Sequence, residues 1–157
     1  MRTARRSLVA LAAAALLAAC GSYTKADFSA SANAICAGAV RATRALMPPS
    51  FASGSTQQLH ALAAYVSRVV PIVRSEARQL RALKRPAGKP RALAALERYL
   101  RALPQAVAEY VALAAAARSA NPQRVASAEA ALRASPLSAL AGAYGLRSCA
   151  SPGATVS

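Results

Sequence analysis

Two long apolar patterns flank a short basic hinge, and they confine this chain to helical architectures. Leu59, Leu62, Val66, Val69, Val73, Ala77 and Leu80 recur at spacings of three and four. Leu93, Leu96, Leu100, Leu103, Val107, Tyr110, Val111 and Ala114 follow the same rhythm beyond the hinge. Apolar side chains three and four apart line one side of an α-helix. Between them lies Lys84-Arg85-Pro86-Ala87-Gly88-Lys89-Pro90-Arg91, whose two prolines end one helix and open the next. Such a pair folds back on itself as an antiparallel hairpin. No segment alternates with period two, so no sheet is expected.

The flanks carry their own start and stop signals. Thr24-Lys25-Ala26-Asp27 and Ser55-Thr56-Gln57-Gln58 are capping boxes, in which side chain and backbone satisfy each other's first-turn donors. Behind the first, Phe28, Ala32, Ile35, Ala39, Ala42 and Leu46 form a helical face bordered by Cys36, and Met47-Pro48-Pro49 stops it. Asn121-Pro122 opens a fourth helix, with Val125, Ala128 and Leu132 facing inward. Ser135-Pro136 repeats that signal and breaks the helix, leaving a short fifth one that runs to Tyr144. Gly145 suits the left-handed position that closes it, with Leu146 as the hydrophobic contact. The expected fold is all-α: an up-down-up-down four-helix bundle with a short fifth C-terminal helix, stapled by one disulfide. The bundle should occupy residues 27–149, with 150–157 a disordered tail. Pro71 and Pro104 lie inside the hairpin helices at nearly the same height and read as kinks. They either wall a pocket or hinge, or simply let a long hairpin wrap a small core.

That core is thin. Hydrophobic residues make up 55% of the chain, but 45 of them are alanines, which bury little area. A fold of this kind gains much from a covalent staple, and whether one forms depends on where the chain resides.

The address is written in the first twenty residues. Arg2, Arg5 and Arg6 form a positive start, Ser7 to Leu17 an apolar run, and Ala18-Ala19 a small-residue approach to Cys20. The run is short of the roughly 20 residues that a spanning helix needs, so export and cleavage are expected. Leu17-Ala18-Ala19-Cys20, followed by Gly21, resembles the lipobox of bacterial lipoproteins. The resemblance implies that 1–19 are removed and that Cys20 becomes the lipidated first residue. Residues 20–26 would then tether the domain to the outer face of the cytoplasmic membrane. An ordinary secretory signal with a cysteine at its cleavage site is the alternative, and Arg5-Arg6-Ser7-Leu8-Val9 also matches the core of a twin-arginine signal. In an exported chain the remaining pair, Cys36 and Cys149, is expected to form a disulfide. The segments around that pair, Ala34-Ile35-Cys36-Ala37 and Gly145-Leu146-Arg147-Ser148-Cys149-Ala150, loosely resemble those of small helical lipoproteins from high-GC actinobacteria. That resemblance brings no activity with it.

Charge narrows the partners. Of 20 lysines and arginines three lie in the leader, and the remaining 17 against 5 acidic residues leave +12. Such a surface favours anionic lipid or acidic envelope polymers, although arginine excess is also the habit of a GC-rich genome. Nucleic acid is not expected outside the membrane, and no helix interleaves aromatic with basic residues for base stacking. The lone His60 reads as a surface or capping group, so no metal site is expected. The helix tyrosines Tyr65, Tyr99, Tyr110 and Tyr144 read as packing rather than haem ligands. Glu76, Glu97, Glu109 and Glu129 are scattered singly, each expected beside an arginine, as Glu97 with Arg101 four residues on. No nucleophile has a base and orienter, so no enzyme and no cofactor are expected. In an up-down bundle the hinge returns to the tethered end. Topology therefore brings Lys84, Arg85, Lys89 and Arg91, with Arg78 and Arg81 behind them, toward the membrane. Their other role would be to serve the C-terminal dipole of the second helix. A ligand-binding lipoprotein, presenting a small molecule to a transporter or sensor, is the alternative function.

Overall fold

The computed structural model describes residues 22–49 and 55–151, and these form helices with no strand among them. They are α1 (Lys25–Arg44), α2 (Thr56–Ala82), α3 (Pro90–Arg118), α4 (Pro122–Arg133), α5 (Leu137–Tyr144) and a final turn, α6 (Arg147–Ala150). The start signals act as their chemistry demands. Thr24 Oγ1 accepts from the Asp27 N–H while Asp27 Oδ2 accepts from the Thr24 N–H, closing the first capping box. Ser55 and Gln58 close the second in the same way. Asn121 caps α4 through the Arg124 N–H, and Pro90 and Pro122 each stand in a first helical turn. Gly145 takes φ +97° and ends α5, and the Leu146 N–H returns to the Ala141 carbonyl.

The hairpin of α2 and α3 is the spine, and two apolar clusters are threaded along it. At the hinge end Phe28, Ala32 and Cys36 of α1 pack with Ala77 and Leu80 of α2, and with Leu96, Tyr99, Leu100 and Leu103 of α3. Ala141, Tyr144 and Leu146 complete that cluster. At the far end Leu59, Leu62, Tyr65, Val66 and Val69 of α2 meet Leu113, Ala114 and Ala117 of α3 and Val125 of α4. The early part of α2 thus lies beside the late part of α3, and the start of α1 beside the end of α2. This is up-down-up-down order, and the fourth column is divided between α4 in the far half and α5 in the hinge half.

Three local expectations change. Helix α1 ends at Arg44, and Leu46 packs instead against the far cluster; burial in α1 falls on Phe28, Ala32 and Cys36, so Cys36 lies in the stripe rather than at its border. Ser135 does not cap α5: Pro136 occupies the cap position with no side-chain bond, and the Leu140 N–H reaches the Pro136 carbonyl. The fold also extends past residue 149, because Ala150 belongs to α6 and its carbonyl accepts from the Ser138 hydroxyl. The rest of the expected tail, from residue 152, lies outside the described residues.

Both prolines are accommodated inside continuous helices, each on an exposed face. A proline removes one backbone donor and crowds the preceding turn. Placed outward, it leaves the apolar seam intact.

Cys36 and Cys149 are joined, with Cα atoms 5.1 Å apart across a sequence separation of 113. Beside the bridge the Ser148 N–H donates to Asn33 Oδ1, and the Phe28 and Tyr144 rings meet edge to face at 5.8 Å. All members of both described clusters, and the bridge, lie between Tyr23 and Ala150, so the chain from Gly21 onward contains every core residue described. Closing so long a loop removes unfolded-chain entropy worth about 4 kcal/mol. Replacing both cysteines by serine in the chain from Gly21 should therefore lower the thermal midpoint by more than about 10 °C. Circular dichroism measures this, and an unchanged midpoint would show that the helices hold α5 and α6 without the bridge.

Candidate functional site

The basic hinge is a defined tip, not a loose turn. Pro86 is buried, and the Ala87 N–H donates to the Tyr23 carbonyl at 2.9 Å. This bond ties the tip to the segment that leads from Cys20, itself outside the described residues. Arg85 lies along the tip and stays exposed: its Nε donates to Glu97 Oε1 at 3.0 Å, and its Nη1 donates to the Arg81 and Leu83 carbonyls. It serves the C-terminus of α2, where a cation satisfies unpaired carbonyls. Arg78, Arg81, Lys84, Lys89 and Arg91 are exposed. Lys25 adds a sixth cation near this end, with Nζ 4.7 Å from the Tyr144 ring centre.

The acidic residues divide by role. Glu97 takes Arg85 rather than Arg101, because the hinge brings Arg85 across while the Arg101 Nε bonds the Glu97 carbonyl instead. Glu129 has Arg133 at 3.7 Å, the expected four-residue pair. Glu109 accepts from Gln105 Nε2, with its other oxygen buried and unbonded. Asp27 caps α1, and its bonds from Thr24 hold the carboxyl below the usual range. Glu76 has neither a cap nor a cation among the described residues. Burial pushes its carboxyl up to about 7.

Glu76 opens into a groove of about 650 Å³ between α1 and α2. Ala34, Ile35, Gly38, Ala39 and Ala42 form one wall; Pro71, Ile72, Ser75, Glu76 and Gln79 form the other. Gln79 Nε2 donates to Ser75 Oγ at 3.1 Å and so edges the rim with polar groups. The groove exists because the α1 wall is small. A Cβ added to Gly38 would have only the Arg41 guanidinium near it, at 4.0 Å. Pro71 lines this groove and Pro104 does not, so the proline level borders a cavity on the α1 side alone. On the opposite face of the hairpin a smaller hollow of about 230 Å³ is lined by Ser67, Val70, Arg74, Val111, Ala114 and Arg118.

Behind Glu76 stand the tyrosines. Tyr65 and Tyr99 are buried and Tyr110 half-buried, as core packing requires. Desolvation, then the Glu76 charge, pushes the Tyr99 and Tyr110 hydroxyls upward; Tyr65 and Glu109 add to the effect on Tyr110. His60 is exposed near the start of α2. Among the described residues no three histidine, cysteine or acidic side chains gather where a metal would sit, and no helix is long and apolar enough to cross a membrane.

The chain matches no known family, no curated protein and no solved structure.

Sequence periodicity found the tip but missed the groove. Ile72, Ser75, Glu76 and Gln79 do repeat at spacings of three and four, beside the main apolar stripe of α2. The signal was there, but its mixed polarity resembles an ordinary solvated flank.

Burial of Glu76 makes stability depend on pH. Its folded value, about 7, lies above the 4.5 ordinary for a glutamate carboxyl. Between the two the folded state holds a proton that the unfolded chain has lost, so stability falls as pH rises through this window. Glu76→Gln should remove a penalty of about 3 kcal/mol at pH 8 and change little at pH 4. Urea unfolding of both chains at the two pH values tests this; equal stability at pH 8 would mean the carboxyl is well solvated.

Proposed function

We propose that this chain is a lipid-anchored, non-enzymatic helical module on the outer face of the cytoplasmic membrane, its basic tip turned toward anionic lipid or an acidic envelope partner. The observation that carries the proposal is the Ala87–Tyr23 hydrogen bond. Cys20 lies three residues before Tyr23, roughly 11 Å of extended chain at most. A lipid on Cys20 would thus hold Lys84, Lys89 and Arg91 close to the surface, where each basic residue contributes about 1 kcal/mol against anionic headgroups. Arg78 and Arg81 stand one to two turns behind. Arg85 belongs to this patch by position, but its bond to Glu97 leaves it little free charge to offer. The lipobox resemblance of Leu17 to Cys20 and the +12 of the chain beyond the leader support the same arrangement. A single acyl chain anchors marginally, whereas the two of a diacylglyceryl group hold stably, so the basic tip would orient the domain rather than retain it.

A second reading, a ligand-carrying lipoprotein that serves a transporter or sensor, is favoured by the groove beside Pro71.

The first reading is tested in two steps. Mass spectrometry of the full chain from an export-competent bacterium should find a diacylglyceryl group on Cys20 and no residues before it. The chain from Gly21, mixed with vesicles of phosphatidylcholine and about 30% phosphatidylglycerol, should bind at low salt and release as salt screens the charges. Lys84→Gln, Lys89→Gln and Arg91→Gln together should weaken binding at least about tenfold, and Arg85→Gln much less. Equal binding to purely neutral vesicles, or no change in the triple variant at low salt, would remove the surface role.

A further inference from the structure

The five acidic residues of this chain are few enough to be accounted for singly. Four of them cap a helix, pair with an arginine or accept from a neighbouring amide. Glu76 does none of these, yet it sits part-buried at the wall of the α1–α2 groove, in a chain whose surface is crowded with cations. A carboxylate withdrawn from water is costly unless a positive group stands beside it. Among the described residues no cation is paired with Glu76, and besides Glu76 the groove is lined by apolar side chains, a glycine, Ser75 and Gln79. From α3 the groups that feel the Glu76 charge are Tyr99 and Tyr110, with Glu109 acting on Tyr110. On α1, Arg41 stands beside Gly38 at the rim.

The walls state the rest of the ligand. Ile35, Ala39, Ala42, Pro71 and Ile72 give a hydrocarbon-lined trough. Ligand sites commonly combine such an apolar lining with a few placed polar groups that fix orientation. We propose that the α1–α2 groove binds an organic ammonium, its hydrocarbon part along the apolar walls and its cationic nitrogen at the Glu76 carboxylate. A fatty acid would set its carboxylate against Glu76, and a neutral alcohol would leave the charge unanswered. The inference rests on the second reading above for a ligand in this place, and owes nothing to the membrane reading.

Binding must draw Glu76 into its ionised form, so affinity should rise with pH. The carboxyl titrates at about 7 in the free chain, and an ammonium that binds only the ionised group loses affinity below that value.

The test uses the chain from Gly21 in lipid-free buffer, with octylamine, octanol and octanoate as probes followed by methyl and amide chemical shifts. Octylamine should saturate and move the signals of Ile35, Ala39, Ala42 and Ile72. It should bind at least about tenfold more tightly at pH 8 than at pH 5.5, and more tightly than either other probe. Glu76→Gln should erase the pH dependence and the preference for the amine. Gly38→Leu, which places a side chain in open space and favours the helix, should block all three probes while leaving the thermal midpoint no lower. Octanol or octanoate binding as well as octylamine at pH 8, a pH-independent octylamine affinity, or no saturable shift in the groove would each overturn the proposal. The assay contains no membrane, so its failure leaves the vesicle result untouched. Octanol binding alone would keep a ligand site and reject only the ammonium.

Discussion

The apolar seam between α2 and α3 is the constraint on which the rest depends. Every other helix packs against this hairpin or against a helix that does, and both clusters include residues from each of its arms. The seam works because leucine, valine and tyrosine occupy the repeating positions, where their area is worth ~2 kcal/mol apiece on burial. The alanines between them contribute little area but let the helices approach. Their cost is that the shorter elements have little to hold them. Helix α4 buries only Val125, and α6 buries nothing fully. The disulfide therefore does for the C-terminal elements what the seam does for the hairpin, fixing α6 to the middle of α1 where packing alone is slight.

Charge follows the same division between what the fold uses and what it leaves free. Arg85 is a cation spent on structure, bonded to Glu97 and to two carbonyls at the end of α2. Lys84, Lys89 and Arg91 flank it in sequence and are exposed as it is. Of the two roles weighed for the hinge from sequence, membrane contact and helix capping, the bonds of Arg85 bear on capping alone. The capping role falls to one arginine, and the others are free for a partner.

The sequence displayed the helices and their order because their signals are local. Capping boxes at Thr24 and Ser55, prolines at 90 and 122, and Gly145 act within one turn of themselves, so reading them required no knowledge of the fold. The Cys36–Cys149 pairing was legible by elimination once Cys20 was assigned to the expected export signal. The misses are non-local. Glu97 chose Arg85 over Arg101 because the hinge folds Arg85 across, which no helical spacing encodes. Leu46 continued the α1 rhythm on paper, yet α1 had already ended and the residue joined the far cluster. The groove was least legible of all, since it is made by side chains that are absent rather than present.

That absence has a mechanical cause. Helix α1 is held near the hinge by Phe28, Ala32 and the Cys36 bridge, and just past its other end by Leu46 in the far cluster. Between these points its residues toward α2 are Ile35, Gly38, Ala39 and Ala42, and only the isoleucine reaches far. On the α2 side, Ser75 and Gln79 bond each other rather than α1. A helix is too stiff to bow inward over two turns, so the gap stays open. Closing it would take only one or two larger residues on α1, a change that helix propensity would favour at Gly38. A glycine in the middle of a helix costs about 1 kcal/mol relative to alanine. Here that cost faces the part-buried Glu76, which no cation pairs among the described residues, so two local penalties meet across one opening.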